Sequence, residues 1–215
     1  MNLSLKLLGH ACFLINIEEE TVIIDPQKSD YSGKADLILV SHSHHDHFDV
    51  SETEKLLKKG TIIIAPEDCK SKITTPIKSL KPGQEASFGK VKVRAVEAYN
   101  VKRFRSPGVP FHPKGLGVGY LIFGEGRTIY HAGDTDFIPE MKQLGHVDVA
   151  LLPSGGTYTM DSTDAAEAAL VTKPEVVIPM HRWDTDPEEF RKRVESGDSH
   201  IKVVILAKGE EYQVV

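Results

Sequence analysis

The sequence has few cysteines, little net charge and no long hydrophobic run, and each shortage disfavours a class of protein. Its two cysteines, Cys12 and Cys69, lie far apart without C-x-x-C spacing, so no disulfide framework is indicated. A formal net charge of −5 does not favour nucleic-acid binding by the surface as a whole. Polar residues interrupt the apolar positions near the N-terminus, so we expect no signal peptide, no membrane span and a cytoplasmic protein.

Length and patterning predict one domain spanning residues 1–215. A chain of 215 residues can bury one sizeable core, and no repeat, low-complexity tract or proline-rich linker divides it. Groups of predicted strands alternate with predicted helices, and the two halves of the chain look alike. The last two predicted strands, residues 201–206 and 211–215, are expected to close the second sheet.

Histidine, in contrast, is concentrated in one place. Four of the ten histidines fall within residues 42–47, which read HSHHDH. The apolar run 35–40 before them has the length and composition of a buried strand. After them, Ser51 and Glu54 form the pattern of a capping box that opens a helix. The cluster is therefore predicted on a loop that leaves a strand, where open α/β sheets place ligand sites.

The spacing within the cluster suits two cations. Side chains two positions apart in an extended segment point to the same side, so His42 and His44 can face one metal. Asp46 and His47 follow one turn later and can face a second. Imidazole and carboxylate without thiolate suit zinc, iron or manganese, and paired metals about 3.5–4 Å apart generate a hydroxide at neutral pH. The less favoured alternative is a solvated histidine-rich loop.

Residues 42–47 resemble the H-x-H-x-D-H signature of the metallo-β-lactamase superfamily. The resemblance extends over nearly the whole chain: residues 8–15 and 23–26 are similar to the opening of that fold, residues 131–135 (HAGDT) to its bridging-aspartate motif, and residues 178–181 to its last histidine segment. The chain looks like the branch of small stand-alone metal-dependent hydrolases that also contains sugar-acid-phosphate lactonases. The resemblance implies an α/β (α+β) fold, a four-layer αβ/βα sandwich with the metal cleft on one edge.

The resemblance also implies a binuclear site, with Zn²⁺ expected and Mn²⁺ or Fe²⁺ as alternatives. The implied metal ligands are His42, His44, Asp46, His47, Asp134 and His181. Asp134 would bridge the two metals with its two oxygens, and Gly133 before it permits close backbone approach. Asp46 would be the catalytic residue that orients the attacking hydroxide and takes its proton. His131 is predicted to lie near the ligands without being one.

One position departs from the family. Most relatives place a metal-binding histidine where this sequence has Asn100. Three alternatives stay open: Asn100 coordinates weakly through its amide oxygen, His112 folds back to complete the first site, or that site has only three protein ligands. We favour His112 as a ligand or substrate contact over a plain loop histidine.

The segment 99–115 is predicted to be an irregular loop, and a long loop within a compact domain is usually functional or disordered. Its basic residues suggest recognition of a phosphate or carboxylate, with a solvated charged loop as the alternative. Residues after a later buried strand could donate hydrogen bonds to an oxyanion. The candidate substrate-binding residues are Lys102, Arg103, Arg105, Lys114, Gly156, Thr157 and Arg182.

Two further residues are predicted beside the ligands rather than among them. Asp25 either orients a ligand histidine through its second ring nitrogen or forms an Asx turn before Pro26. His10 is predicted to contact the ligands or to line the wall of the pocket.

The favoured function is hydrolysis of a small anionic ester, a phosphodiester or a phosphorylated lactone, by a metal-bound hydroxide. One alternative is a metal-dependent nuclease acting on RNA or DNA, in which the basic loop holds the backbone. Another is a non-catalytic protein that binds a metal or metabolite, suggested by the altered position at Asn100. Relatives often form homo-oligomers, although nothing in this sequence demonstrates one.

Overall fold

The computed structural model describes residues 3–214. In chain order the strands are β1 Leu3–Gly9, β2 Cys12–Ile17, β3 Glu20–Ile24, β4 Leu37–Leu39, β5 Ile62–Ile64, β6 Ile77–Lys78, β7 Glu85–Phe88, β8 Val91–Ala98, β9 Phe104–Ser106, β10 Val109–Pro110, β11 Gly117–Gly124, β12 Arg127–His131, β13 Val149–Pro153, β14 Val176–Met180, β15 Lys202–Val203 and β16 Glu211–Gln213. The helices are α1 Val50–Leu56, α2 Ser162–Thr172 and α3 Pro187–Gly197, with 3₁₀ turns at Glu67–Ser71 and Pro139–Gln143.

The strands form two seven-stranded mixed sheets. The first has the order β16-β1-β2-β3-β4-β5-β6 and the second β15-β14-β13-β12-β11-β8-β7. Each sheet is antiparallel where hairpins connect its strands and parallel where the chain crosses over, from β3 to β6 and from β12 to β15. The halves therefore repeat one pattern, as the sequence predicts.

Successive side chains of a strand point to opposite faces of its sheet, so each sheet packs against the other sheet on one face and against helices on the other. In β2, Phe13 and Ile15 point between the two sheets, whereas Cys12 and Leu14 point to the outer face of the first sheet. Three separate apolar clusters result: one between the sheets, one under α1, and one under α2 and α3. The order helix, sheet, sheet, helices confirms the predicted αβ/βα sandwich. No helix among the described residues is long and apolar enough to cross a membrane.

The prediction that the C-terminal strand closes the second sheet is wrong. The structure pairs β16 antiparallel with β1 of the first sheet, Leu5 opposite Tyr212, while β15 alone extends the second sheet. The chain crosses between the sheets after Val203, and Leu7 accepts and donates backbone hydrogen bonds with residues 209 and 210. The backbone N–H and C=O groups on the outer edge of β1 therefore form hydrogen bonds with the last strand. Of the predicted segment 211–215, Val215 lies outside the described residues.

Helix α1 begins earlier than the predicted capping box. Its N-cap is Asp49, whose carboxylate accepts a hydrogen bond from the Glu52 backbone N–H at 3.0 Å. Ser51 is already inside the helix. The chain turns immediately after the histidine segment, since the backbone N–H of Phe48 bonds to the carbonyl of His44. Because of that turn, the helix begins at Val50. Aspartate caps a helix as well as serine does, so Asp49 can take the N-cap position.

Residues 99–115 are more ordered than predicted. They contain a two-stranded hairpin, β9 with β10, which stands apart from both sheets. The predicted irregular loop is therefore wrong in this respect. At the base of the hairpin, the backbone N–H of Asn100 bonds to the carbonyl of His112 at 2.8 Å. This hydrogen bond brings the two ends of the hairpin segment together and fixes where His112 lies.

Candidate metal centre

The site begins with a buried carboxylate at the end of β3. Asp25 has a left-handed backbone (φ 50°) and no solvent exposure. Its oxygens accept hydrogen bonds from the backbone N–H of Ser41 (2.6 Å), from the Ser41 hydroxyl (2.7 Å) and from His47 Nδ1 (2.8 Å). Asp25 therefore ties the two ends of the histidine segment to the first sheet. Of the two sequence alternatives, the structure has the one in which Asp25 orients a histidine.

These contacts also fix which ring nitrogens face the cavity. His47 Nδ1 must donate to Asp25, so its Nε2 carries the free lone pair. The Ser41 hydroxyl donates to Asp25 and accepts from His42 Nδ1 at 3.0 Å, so the lone pair of His42 is on Nε2, which lies 3.1 Å from His44 Nδ1. Two neighbouring histidines are thereby held in the tautomer that a metal needs.

Asn100 does the same for a third histidine. Its amide oxygen accepts from the His112 backbone N–H at 2.7 Å and from His112 Nδ1 at 2.9 Å, while its Nδ2 donates to the Tyr158 carbonyl at 3.0 Å. All polar atoms of this amide are therefore engaged away from the cavity. Nε2 of His112 is left facing Asp134 at 3.2 Å. The geometry brings His112, not Asn100, to the other histidines.

Two groups of candidate ligand atoms in the cleft are joined by a third, which consists of His42, His47 and Asp134. Atoms of His42, His44 and His112 lie within 4.8 Å of one another. A second group within the same distance consists of His10, Asp46, His47 and His181. His10 lies closer to the ligands than a simple pocket wall requires, since its Nε2 is 3.5 Å from Asp46 Oδ2.

Asp134 lies between the two groups. Its Oδ2 is 3.2 Å from His112 Nε2 and 3.1 Å from His181 Nε2, and its Oδ1 is 3.2 Å from His47 Nε2. A sharp turn after β12 places Asp134 in this position. Gly133 has φ +64°, and a Cβ at this position would lie 2.8 Å from the Val118 carbonyl oxygen. Only glycine satisfies both conditions without strain.

Several buried atoms in the centre have no hydrogen-bond partner. They are His10 Nε2, His47 Nε2, Asp134 Oδ1, and both ring nitrogens of His181. Unpaired buried polar atoms are rare, and among the described residues those of His47, Asp134 and His181 Nε2 lie close together, with His181 Nε2 3.1 Å from Asp134 Oδ2. Nε2 of His47 and Oδ1 of Asp134 lie 3.2 Å apart, and both are among these unpaired atoms. Converging imidazole and carboxylate donors fit divalent cations, which would displace any proton held there, so the donor set suits the metals expected from the sequence.

The pKa shifts of the buried histidines and of Asp134 also favour a cation in this centre. Burial lowers the pKa of His42 well below its usual range, and nearby His47 lowers it further, so this ring is neutral as a ligand must be. Burial would raise the pKa of Asp134, but the charges of His47 and His181 outweigh it and hold the pKa well below the ordinary value. Burial opposes protonation of His47 too, yet Asp134 and Asp25 raise its pKa. The centre thus attracts positive charge.

A cavity of about 310 Å³ opens in front of these groups. Of the sequence candidates for substrate binding, Arg105 lines it. The residues that sequence reasoning did not select are His45, Phe111, Tyr158 and Trp183. Residues 158 and 183 follow β13 and β14, and a search for aromatic side chains just after strand ends would have found them.

The other basic residues of segment 99–115 face carboxylates. Arg103 is ion-paired with Asp136, Asp161 and Asp164, and Lys102 with Asp164 at 2.7 Å. Lys114 is bound to Glu140 at 2.8 Å and to Glu97 at 3.5 Å. These three cations hold the segment against the second half of the fold. Arg105 is therefore the one basic candidate of this segment that lines the described cavity.

The other candidate residues lie away from the cavity, and most of them make hydrogen bonds that involve backbone carbonyl groups. The Gly156 carbonyl accepts a hydrogen bond from Arg103 Nε, and Thr157 is exposed. Arg182 donates to the Leu206 carbonyl at 2.8 Å. His131 is fully buried, with Nε2 bonded to the Ala11 carbonyl at 3.0 Å. None of the four is among the side chains that line the described cavity.

Buried Asp136 anchors the start of segment 99–115. Its Oδ2 accepts hydrogen bonds from the backbone N–H groups of Val101, Lys102 and Arg103. We expect Asp136→Ala to lower the free energy of unfolding by about 2–3 kcal/mol, because several buried donors lose their acceptor. Urea denaturation measures this change. Asp30→Ala, at an exposed aspartate, should change stability by less than about 0.5 kcal/mol, and an equal effect of both variants would contradict the anchoring role.

Comparison with known proteins agrees with this geometry. The family described as "Beta-lactamase superfamily domain" matches residues 4–181. A UPF0173 metal-dependent hydrolase of Pyrococcus abyssi is 36% identical over 97% of this chain and 98% of its own length. A Parabacteroides distasonis protein described as a metal-dependent hydrolase is 35% identical, with a TM-score of 0.87 over 94% of this chain and 92% of its own. Igni18, a metallo hydrolase of Ignicoccus hospitalis, is 28% identical, with a TM-score of 0.80 over the full length of both chains.

These matches cover almost the whole chain, including every predicted metal ligand. The fold, the segment 42–47 and the convergence of histidines on Asp134 are found together in the same molecule. The chain therefore belongs to the metallo-β-lactamase superfamily and is a metal-dependent hydrolase.

Proposed function

We propose that this protein uses two metal ions to hydrolyse a small anionic ester, either a phosphodiester or a phosphorylated lactone. The observation that carries the proposal is the position of Asp134, which has one oxygen towards His47 and the other towards His112 and His181. A carboxylate with two engaged oxygens between two ligand groups is suited to bridge a metal pair.

Zinc is the proposed metal, with manganese or iron as alternatives, because the donors are imidazoles and carboxylates. The residues proposed for the first metal are His42, His44, His112 and Asp134. The residues proposed for the second metal are Asp46, His47, Asp134 and His181. When bound, the metals supply a nucleophile from water at neutral pH and neutralise charge that develops on the cleaved ester.

Side chains of the cavity perform the remaining steps. Asp46 lines the cavity, so its carboxylate can orient the attacking water and accept its proton. Burial opposes ionisation of this group, but the nearby His10 ring, 3.5 Å away, and the charge of His47 lower its pKa, so it is ionised at neutral pH. Arg105, also on the cavity, attracts the anionic part of the substrate.

The alternative functions have less support. A nuclease would need free cations on the loop, but Lys102, Arg103 and Lys114 are neutralised by carboxylates. A non-catalytic role was suggested by Asn100 in place of a histidine. His112 approaches Asp134 as closely as His181 does, which removes the main argument for an incomplete site.

The experiment combines metal content with turnover. The protein is purified without a histidine tag, its metals are counted by elemental analysis, and bis-p-nitrophenyl phosphate is assayed beside a simple lactone with zinc and with manganese. We expect about two metals per chain, and turnover that a chelator removes and added metal restores. Fewer than two metals together with no turnover of either substrate would overturn the proposal in favour of a non-catalytic binding protein.

A further inference from the structure

Aromatic side chains from three separate segments form one wall of the cavity. Phe111 comes from the end of the hairpin, Tyr158 from the loop after β13, and Trp183 from the loop after β14. The rings of Phe111 and Tyr158 meet edge to face at 4.8 Å, and Tyr158 is 6.1 Å from Trp183. Tyr158 and Trp183 remain 39% and 55% exposed. A continuous apolar surface that stays open to solvent is typical of a ligand site.

Trp183 is held in this position at the expense of backbone strain. Its φ is +50°, in the left-handed region that non-glycine residues rarely occupy. Its ring packs 4.7 Å from His10 and 5.6 Å from His181. A Cβ at Gly155 would lie 2.8 Å from Trp183 Cδ1, so the glycine leaves room for the indole. Strain that surrounding contacts maintain is concentrated at functional sites, and here it keeps an exposed indole beside the proposed ligands.

At the opposite end of the wall, Arg105 provides a positive charge without a counter-ion. Its guanidinium lies 5.8 Å from the centre of the Phe111 ring, and no carboxylate of residues 3–214 pairs with it. Its neighbours Arg103 and Lys102 are both neutralised. On a protein with a net charge of −5, this cation in the cavity is available to an anion.

We propose that the cavity selects a substrate whose scissile ester is joined to a flat aromatic group with a second, anionic substituent. The aromatic group lies along Phe111, Tyr158 and Trp183, and the anionic substituent reaches Arg105. The reacting bond is then presented to the histidine groups at the other end of the wall. This inference rests on the proposed hydrolytic site and adds the class of its substrate.

Binding of three unreactive probes tests the proposal without turnover. The probes are methylphosphonate, phenylphosphonate and 4-carboxyphenylphosphonate, titrated into zinc-loaded protein by calorimetry. Stacking on the aromatic wall should make phenylphosphonate bind about tenfold more tightly than methylphosphonate. A charge-assisted contact with Arg105 should make the carboxylated probe bind about tenfold more tightly still. Since Trp183 is the single tryptophan, its fluorescence should change with the two aromatic probes.

Variants test which residue is responsible for each gain in binding affinity. Arg105→Gln should abolish the gain from the carboxylate and retain the gain from the ring, and Tyr158→Ala should do the reverse. Arg193→Gln, on α3 and paired with Glu189, is the matched control and should preserve both gains. Equal affinities for methylphosphonate and phenylphosphonate, or binding that leaves Trp183 fluorescence unchanged, would overturn the proposal. Failure of hydrolysis with intact probe selectivity would instead reject the proposed function alone.

Discussion

Asp134→Asn is expected to reduce bound metal from about two equivalents to less than one and to lower ester turnover to the background rate. The amide replaces an anionic oxygen by an N–H donor that points at histidine nitrogens. Three of these, on His47, His112 and His181, now lie within 3.2 Å of the carboxylate. Both ligand groups therefore lose their shared anion in one substitution. Elemental analysis of the purified variant, followed by the phosphodiester assay, measures both losses.

The control for this prediction is Asp184→Asn, an exposed aspartate on the loop that carries Trp183. It changes net charge by the same amount near the same cavity and should leave metal content and turnover as they are. Thermal unfolding of the metal-free proteins separates lost binding from lost folding. An Asp134→Asn protein that keeps two metals and full turnover would exclude a bridging role.

Asn100→Ala is expected to weaken the first metal by roughly 10–100-fold while the second is retained. The amide accepts two hydrogen bonds from His112 and makes no contact with the ligand atoms itself. Its removal frees the His112 ring to rotate and to change tautomer. His112→Ala should have the larger effect, because it deletes the proposed ligand rather than its support. Competitive zinc titration with a chromophoric chelator resolves the two sites.

The order of these two effects distinguishes the roles of the residues. If Asn100 itself were the ligand, Asn100→Ala would be the more damaging change and His112→Ala the milder one. His200→Ala, at an exposed histidine remote from the cavity, should leave both zinc affinities unchanged. Loss of both metals in Asn100→Ala would argue against two separable groups and for a single cooperative site.

Much of the centre is determined by local sequence. Residues 42–47 follow a buried strand directly, and the turn between His44 and Phe48 uses only backbone groups within the segment. Their spacing thus sets the local backbone turn, whereas Asp25 ties the two ends of the segment to the first sheet and orients the His47 ring. The apolar run of β2 likewise predicts a strand locally, but both of its faces are apolar, and the structure alone shows that Phe13 and Ile15 face the second sheet.

Other features depend on contacts between residues far apart in the chain. His112 reaches the first group only because the hairpin closes on Asn100 and because Asp136 anchors residues 101–103. A basic loop in the sequence becomes largely neutral when Arg103 meets three aspartates from later segments. The last strand likewise joins the first sheet because β1 has an open edge.

The sequence by itself therefore determined the fold class, the histidine segment and the aspartate that joins its two groups. The histidine segment is marked by its short-range spacing, whereas the fold class and the bridging aspartate are implied mainly by the resemblance of several motifs to the metallo-β-lactamase superfamily. Tertiary structure alone decided that His112 approaches Asp134, that Arg105 meets no carboxylate within residues 3–214, and that three aromatic rings form one wall. Those outcomes depend on which distant surfaces meet, and the free energy of such contacts is not expressed in the local pattern of any one segment.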